Sequence, residues 1–162
     1  MTENTEAGRS QYLTFNVAEE EYGLSVLTVK EILEYGEVTR VPRAPAHIRG
    51  VMNLRGRVVP LIDLALRLGL PQSAPTARTC VVVVEVDIEG ERVVTGLIAD
   101  GVNQVVEFGD TDIEAPPAFG SRVDAAFLKG LGRVGKRFVM ILDVGGLFRA
   151  EDALSLAPAR VA

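Results

Sequence analysis

Few residues in this sequence have side chains suited to catalysis. His47 is the only histidine and Cys80 the only cysteine, so neither has a partner with which to hold zinc. Cys80 lies inside the apolar run CVVVV, where burial disfavours the reactive thiolate, and we expect an inert, buried thiol. His47 is expected in a turn or on the surface, since the sequence has no Gly-x-Ser-x-Gly elbow. These residues predict no catalytic activity, no metal site and no cofactor.

A glycine-rich stretch, KGLGRVGKR at residues 129–137, has the spacing of two phosphate-binding motifs. Its glycines fit G-x-G-x-x-G, and the same stretch contains G-x-x-x-x-G-K. Both motifs bind phosphate where a helix follows the loop, because the helix N-terminus then faces the anion. Here the strand pattern RFVMILDV follows, and Arg137 stands where a Walker motif has Ser or Thr. We interpret the stretch as a β-turn and keep a nucleotide-binding protein as an alternative.

The charge of the chain disfavours a general affinity for nucleic acid. The net charge is −5, and the nine aromatic residues include no tryptophan. Six arginines and one acid lie between residues 40 and 67, whereas ten acids and two arginines lie between residues 85 and 124. These two segments are either solvated faces of opposite sign or partner-docking surfaces. A nucleic-acid-binding β-barrel remains the second alternative.

Short apolar runs separated by Gly, Pro and acidic turns predict a mainly β chain. No run approaches the roughly 18 apolar residues of a membrane span. The polar N-terminus also lacks the apolar core of a signal peptide. We therefore expect a cytoplasmic protein that does not insert into the membrane.

The sequence contains an internal repeat. Residues 29–37 (VKEILEYGE) align with 102–110 (VNQVVEFGD) at an offset of 73, and 57–63 (RVVPLID) align with 137–143 (RFVMILD) at an offset of 80. Each copy contains about five short strands in roughly 70 residues, the size of a small barrel. We predict two similar β-barrels in tandem. The predicted boundaries are a disordered tail at 1–10, a first barrel at about 11–70, a second barrel at about 79–145 and a C-terminal tail at 151–162.

The segment NLRGRVVPLIDL, residues 53–64, is predicted to be the last hairpin of the first barrel. Gly56 supplies the positive φ that a tight turn requires. Pro60 has no N–H, so its strand is expected to lie at a sheet edge or to be bulged there. Asp63 is expected to cap the helix that follows, as is its counterpart Asp143.

Long segments of the chain resemble the CheW family of bacterial chemotaxis coupling proteins, over residues 11 to about 150. The resemblance implies an all-β fold of two tandem five-stranded SH3-like β-barrels with short helices. It also implies a non-enzymatic adaptor that links methyl-accepting chemotaxis receptors to the regulatory domain of a CheA-type histidine kinase in membrane-associated arrays. The segments that carry it are EEYGLSVLTVKEI, VTRVPRAPAHIRGVMNLRGRVVPLIDLALRLG, VVTGLIADGVNQVV and FLKGLGRVGKRFVMILDV.

The resemblance places a receptor-binding groove between the two barrels, where apolar strand residues would receive an amphipathic receptor helix. Glu31 and Arg55 are predicted to form an ion pair that fixes the NLRG hairpin against the KEI strand, and the alternative is that they are two solvated turn charges. The alternative for the valines of this set is that they are core residues. The set is Val29, Glu31, Arg55, Cys80, Val81, Gly96 and Val105.

A second pair of surfaces is predicted to bind the kinase, because a duplicated fold offers two similar faces that can link molecules into a ring. Phe119, beside prolines, is a candidate anchor, with a core plug as the alternative. Glu114 departs from family members that carry a basic residue near this loop. The predicted residues are Val38, Arg40, Pro42 and Arg43 on the first barrel and Pro117, Phe119 and Val123 on the second.

Overall fold

The computed structural model describes residues 9–72, 74–115 and 125–147, and these residues are predominantly β, as predicted. Within them, no helix has the length and hydrophobicity of a membrane span. The predicted tails lie outside this part of the chain, except that residues 9 and 10 begin the first strand. The strands are β1 (Arg9–Val17), β2 (Glu20–Ser25), β3 (Val29–Glu34), β4 (Ile48–Leu54), β5 (Arg57–Asp63), β6 (Cys80–Ile88), β7 (Glu91–Ala99), β8 (Gly101–Gly109), β9 (Ile113–Glu114), β10 (Leu128–Val134) and β11 (Arg137–Leu142), and the helices are α1 (Leu64–Arg67) and α2 (Val144–Leu147).

The strands form two sheets, and each sheet combines strands from both halves of the chain. One has the order β8-β1-β2-β11-β10-β9, and the other has the order β3-β6-β7-β5-β4. The first hairpin of each half therefore pairs with the remaining strands of the other half. The predicted contiguous boundaries, about 11–70 and 79–145, do not follow this pairing, because the two halves exchange their first hairpins.

The two sheets have the same internal pattern, in agreement with the predicted repeat. The offsets of 73 and 80 carry β2, β3, β4 and β5 onto β7, β8, β10 and β11. In both sheets the strand before the short helix runs parallel to its neighbour, with Leu61 opposite Gly96 and Ile141 opposite Gly23. The molecule is thus built from two pseudo-equivalent sheets.

A pair of glycines allows the chain to close each sheet in the same way. Thr39, which follows the edge strand β3, pairs with Val51 of β4. At the equivalent place Glu114, which follows the edge strand β8, pairs with Leu131 of β10. A Cβ on Gly50 would lie 2.3 Å from the carbonyl oxygen of Thr39, and one on Gly130 would lie 2.6 Å from that of Glu114. Glycine is required at both positions because the closing segment crosses directly over them.

The apolar run of β6 is buried on both of its faces. Val81 and Val83 pack with Leu61 and Ile98 in the interior of the five-stranded sheet. The alternating residues Cys80, Val82 and Val84 join β1 residues such as Leu13 in a larger cluster between the two sheets, which we call the inter-sheet core. Burial raises the pKa of the Cys80 thiol, and the nearby Asp100 carboxylate raises it further. This environment agrees with the prediction of an unreactive thiol.

The prediction that Pro60 lies at an edge or a bulge is wrong. Strand β5 lies between β7 and β4, and Pro60 stands in regular register opposite Val51. The parallel ladder to β7 begins only at the next residue, whereas the equivalent ladder in the other sheet already includes Met140 opposite Tyr22. Pro60, which has no N–H to donate, therefore lies just before the parallel ladder, which pairs Leu61, Ile62 and Asp63 with β7.

Both predicted helix caps are confirmed. Oδ1 of Asp63 accepts a hydrogen bond from the Leu66 amide at 3.3 Å, and Oδ1 of Asp143 accepts one from the Gly146 amide at 3.2 Å. The buried Asp63 has two further partners, Arg49 and the side-chain amide of Gln72. Asp63 therefore ties β4 and the segment between α1 and β6, which we call the crossover, to the start of α1.

Two buried threonines differ in hydrogen bonding and give a test of the core. The hydroxyl of Thr14 donates to the carbonyl of Gln104 at 3.1 Å, whereas that of Thr95 has no hydrogen-bond partner among the described residues. An unsatisfied buried hydroxyl costs about 1–3 kcal/mol. We expect Thr95→Val to raise the free energy of unfolding in urea by about 1 kcal/mol, and Thr14→Val to lower it by about 1 kcal/mol. Equal destabilisation by both changes would contradict this assignment.

Candidate partner-binding surface

Two edge strands, β3 and β8, each present one large apolar side chain to solvent. Ile32 is 44% exposed and Val105 is 52% exposed. The offset of 73 places these residues at equivalent positions of the repeat. Their cross-strand neighbours, Val82 and Leu13, belong to the inter-sheet core. Each edge strand thus extends that core to the surface, and we call β3 and β8 with these residues the docking edges.

The predicted ion pair between Glu31 and Arg55 is confirmed. The two guanidinium nitrogens Nη1 and Nη2 donate to the two carboxylate oxygens at 2.6 and 2.8 Å. Arg55 and Gly56 both have positive φ, as a two-residue hairpin turn requires, and the side chain of Asn53 accepts a hydrogen bond from the Gly56 amide. The Arg55 side chain is 71% exposed, so the pair lies on the surface and links the β4–β5 turn to β3.

The remaining residues of the predicted receptor set are mostly inside the protein. Val29 is partly buried against the inter-sheet core, and Cys80 belongs to that core. Val81 is fully buried in the interior of the five-stranded sheet. A Cβ on Gly96 would lie 2.6 Å from side-chain atoms of both Leu61 and Val81, so Gly96 permits this packing. Val81 and Gly96 therefore support the strands and are not part of the surface.

Val105 was among the residues predicted to bind the receptor, whereas Ile32 was not. The alignment of residues 29–37 with 102–110 places Ile32 directly on Val105, so the repeat contained the necessary signal. Apolar periodicity did not separate Ile32 from core residues, because β3 alternates between half-buried and exposed positions and each of its faces carries both apolar and charged residues.

The residues predicted to bind the kinase are described only in part. Arg40, Pro42 and Arg43 are exposed in the segment that closes the five-stranded sheet. Val38 in the same segment is partly buried against the interior cluster of that sheet. Glu114 forms an ion pair with Arg133. Pro117, Phe119 and Val123 lie outside the described residues.

The glycine-rich stretch at 129–137 is a β-hairpin, as interpreted from the sequence. Strands β10 and β11 pair antiparallel across it, and Gly135 has a φ of 61° at the turn. No helix N-terminus faces the turn, because β11 follows it directly. Among the described residues, no group of three or more His, Cys, Asp or Glu side chains is placed to hold a metal ion.

Comparison with known proteins gives a consistent result over nearly the whole chain. Residues 11–152 match the family model of the CheW-like domain. The chemotaxis protein CheW of Klebsiella aerogenes is 36% identical over 88% of this chain and 83% of its own length, and a probable CheW of Rhizobium etli is 33% identical over 90% and 92%. The crystal structure of the scaffolding protein TtCheW from Thermoanaerobacter tengcongensis superposes with a TM-score of 0.78, at 31% identity, covering 88% of this chain and 90% of that one.

The ion pair of Glu31 predicts a measurable titration behaviour. The hydrogen bonds from Arg55 lower the pKa of Glu31, burial opposes this, and the positive charges of Arg55 and Lys30 lower it further. Arg55→Ala should raise the pKa of Glu31 toward its ordinary value in a carboxyl NMR titration. The exposed Arg57→Ala serves as the control and should leave that pKa unchanged.

The sign of the linked effect on stability follows from the lowered pKa. The pair contributes stability above the pKa that Glu31 has in the unfolded chain, and this contribution is lost as the pH falls through the lowered folded value. A Glu31 pKa that is the same in the wild type and in Arg55→Ala would show that the pair does not form in solution.

Proposed function

The chain belongs to the CheW family, and we propose that its docking edges bind the receptors that such an adaptor serves. The protein is a non-enzymatic chemotaxis adaptor that couples methyl-accepting chemotaxis receptors to a CheA-type histidine kinase. In this role it works in the cytoplasm and is recruited to receptor arrays at the membrane.

The observation that carries the receptor proposal is the duplicated exposure of Ile32 and Val105. Both residues stand at the margin of the inter-sheet core, on edge strands with one hydrogen-bonded neighbour each. An amphipathic receptor helix that covers them would continue the apolar packing of the core outward. Glu31 and Arg55 lie beside Ile32, where their ion pair holds the neighbouring hairpin turn in place.

The kinase contact is proposed on the segments that close the two sheets. In the five-stranded sheet this segment exposes Arg40, Pro42 and Arg43, together with Val41, which is 41% exposed. In the sequence, the corresponding stretch after β9 contains the predicted anchor Phe119, which lies outside the described residues. Two such surfaces on one molecule allow it to contact two kinase regulatory domains and to become a link in a ring.

The receptor proposal is tested by placing a charge on each docking edge. We expect Ile32→Asp and Val105→Asp each to weaken binding of a soluble receptor cytoplasmic fragment about tenfold or more, because burial of such a side chain is worth about 1.5–3 kcal/mol. Isothermal titration calorimetry measures the loss. The control Val58→Asp changes a valine that is 57% exposed on β5 and should bind as the wild type does. Wild-type affinity in both edge variants would refute the surface.

The two-surface proposal for the kinase is tested with Phe119→Asp and Val41→Asp. Val41 replaces Val38 as the target because Val38 packs against the core, where a charge would disturb folding. Phe119→Asp is expected to lose kinase pull-down while still binding receptor. Val41→Asp is expected to retain binary kinase binding but to fail to support clustered arrays in cells. Normal kinase binding and array formation in both variants would refute the two-surface assignment.

A further inference from the structure

The side chain of Arg49 on β4 joins two parts of the chain that are distant in sequence. Its Nη1 donates a hydrogen bond to the hydroxyl of Tyr35 at 2.8 Å, and its Nη2 forms an ion pair with the buried carboxylate of Asp63. The guanidinium also lies over the Tyr35 ring, with Cζ 5.6 Å from the ring centroid. Because Tyr35 directly follows β3 and Asp63 ends β5, one side chain bridges the ends of these two strands.

The two residues that Arg49 joins control both ends of segment 36–47, which closes the five-stranded sheet. Tyr35 immediately precedes this segment, and His47 is its last residue. The carbonyl of His47 accepts a hydrogen bond from the Asp63 amide at 2.8 Å. Since Arg49 binds both Tyr35 and Asp63, a single guanidinium holds the two ends of the segment in one arrangement.

The exposed part of this segment contains a turn that is unfavourable by itself. Arg40, Val41 and Arg43 are exposed, and they follow Thr39, where the segment pairs with β4. Arg43 has a φ of 67°, in the left-handed region that a residue with a Cβ rarely adopts. The amide of Ala44 closes the turn by donating to the carbonyl of Val41 at 3.3 Å. A strained conformation of this kind persists only where the surrounding structure holds it.

The second copy of the repeat does not contain this bridge. The equivalent of Arg49 is the exposed Lys129, and the equivalent of Tyr35 is Phe108, which has no hydroxyl. Phe108 is instead buried, and its ring packs against that of Tyr12, with the centroids 5.5 Å apart. The fold therefore closes one of its two sheets without the bridge, which belongs to the first copy alone.

We propose that Arg49 is a positioning residue for kinase binding, which holds the exposed residues of segment 36–47 in the conformation that a kinase regulatory domain binds. This inference rests on the proposed kinase contact of that segment. A surface that is ordered before binding loses less conformational entropy on association, and its affinity rises accordingly. Without the bridge, only a fraction of the molecules would present the binding conformation, and the apparent affinity of this contact would fall by that fraction.

The bridge is tested first by its effect on the segment. Tyr35→Phe deletes one hydroxyl and installs the side chain of the second copy, whereas Arg49→Lys keeps a positive charge for Asp63 but lacks the planar fork that reaches both partners. Each variant should speed hydrogen exchange of the Ala44 amide about fivefold in NMR measurements, because the turn is no longer held at both ends. The exposed Lys129→Met, at the position equivalent to Arg49, is the control and should exchange at the wild-type rate.

The functional readout is the clustering of receptor arrays in cells, imaged with a fluorescently labelled kinase. Tyr35→Phe and Arg49→Lys should each reduce the fraction of cells with clusters about threefold. Both should retain wild-type binary binding of the kinase and of a soluble receptor fragment, whereas a general loss of folding would weaken all three measurements together. The double variant should be no worse than Arg49→Lys alone, since both changes break the same contact. Lys129→Met should form clusters as the wild type does.

The outcomes separate this inference from the kinase contact on which it rests. If both bridge variants form normal arrays while Val41→Asp does not, the positioning role of Arg49 is refuted and the kinase contact stands. If receptor binding falls as far as clustering does, Arg49 supports the whole fold and the positioning role is again refuted. Unchanged exchange of the Ala44 amide in both variants would show that the bridge does not hold the segment. If Val41→Asp also forms normal arrays, the kinase contact of the segment is refuted, and this inference with it.

Discussion

The reciprocal exchange of hairpins is the constraint on which the rest of this structure depends. Strand β3 has β6 as its hydrogen-bonded neighbour, and β8 has β1, so each third strand is held by a hairpin from the other half of the chain. The parallel pairs β5–β7 and β11–β2 also join the two halves. Neither half has a complete sheet by itself. The two sheets must therefore form together, and the inter-sheet core is a direct consequence of the exchange.

The same exchange explains where the candidate binding surface lies. Since β3 and β8 each pair on one side with a hairpin that packs in the inter-sheet core, both become edge strands at the margin of that core. Their exposed apolar residues are then repeated by the symmetry of the fold. The two edges are nevertheless different. The positions equivalent to Glu31 and Arg55 are Gln104 and Gly135, so the ion pair at the hairpin turn exists on one edge alone.

Divergence between the copies is also visible in the interior. Asp63 and Asp143 both cap a short helix, but Asp63 additionally binds Arg49, whose equivalent in the second copy is the exposed Lys129. Arg67 of α1 donates two hydrogen bonds to the carbonyl of Leu147 at the end of α2 and stacks over the ring of Phe127. Among the described residues, these polar contacts are not repeated in the other copy. They fix the helices and the crossover around a core that is otherwise symmetric.

Local features of this protein were determined by the sequence alone. The strands, the turn at Gly56 and the caps at Asp63 and Asp143 follow from residue types and short spacings. The Glu31–Arg55 pair was predicted from the resemblance to the family, which places both residues at one groove. The exchange of hairpins was not predictable, because an alignment of the repeat is identical whether each hairpin pairs within its own half or with the other.

Only the tertiary structure decided which apolar strand residues are exposed. Val81 and Val105 are both valines within β-strands, yet one is fully buried and the other is half-exposed. In a strand that is buried on both faces, the alternation of side chains leaves no polar residue to mark the outer side. Likewise, a central strand tolerates Pro60 because the parallel ladder between β5 and β7 begins one residue later, at Leu61. Exposure depends on which strand lies alongside, and that is set by contacts between residues distant in the chain.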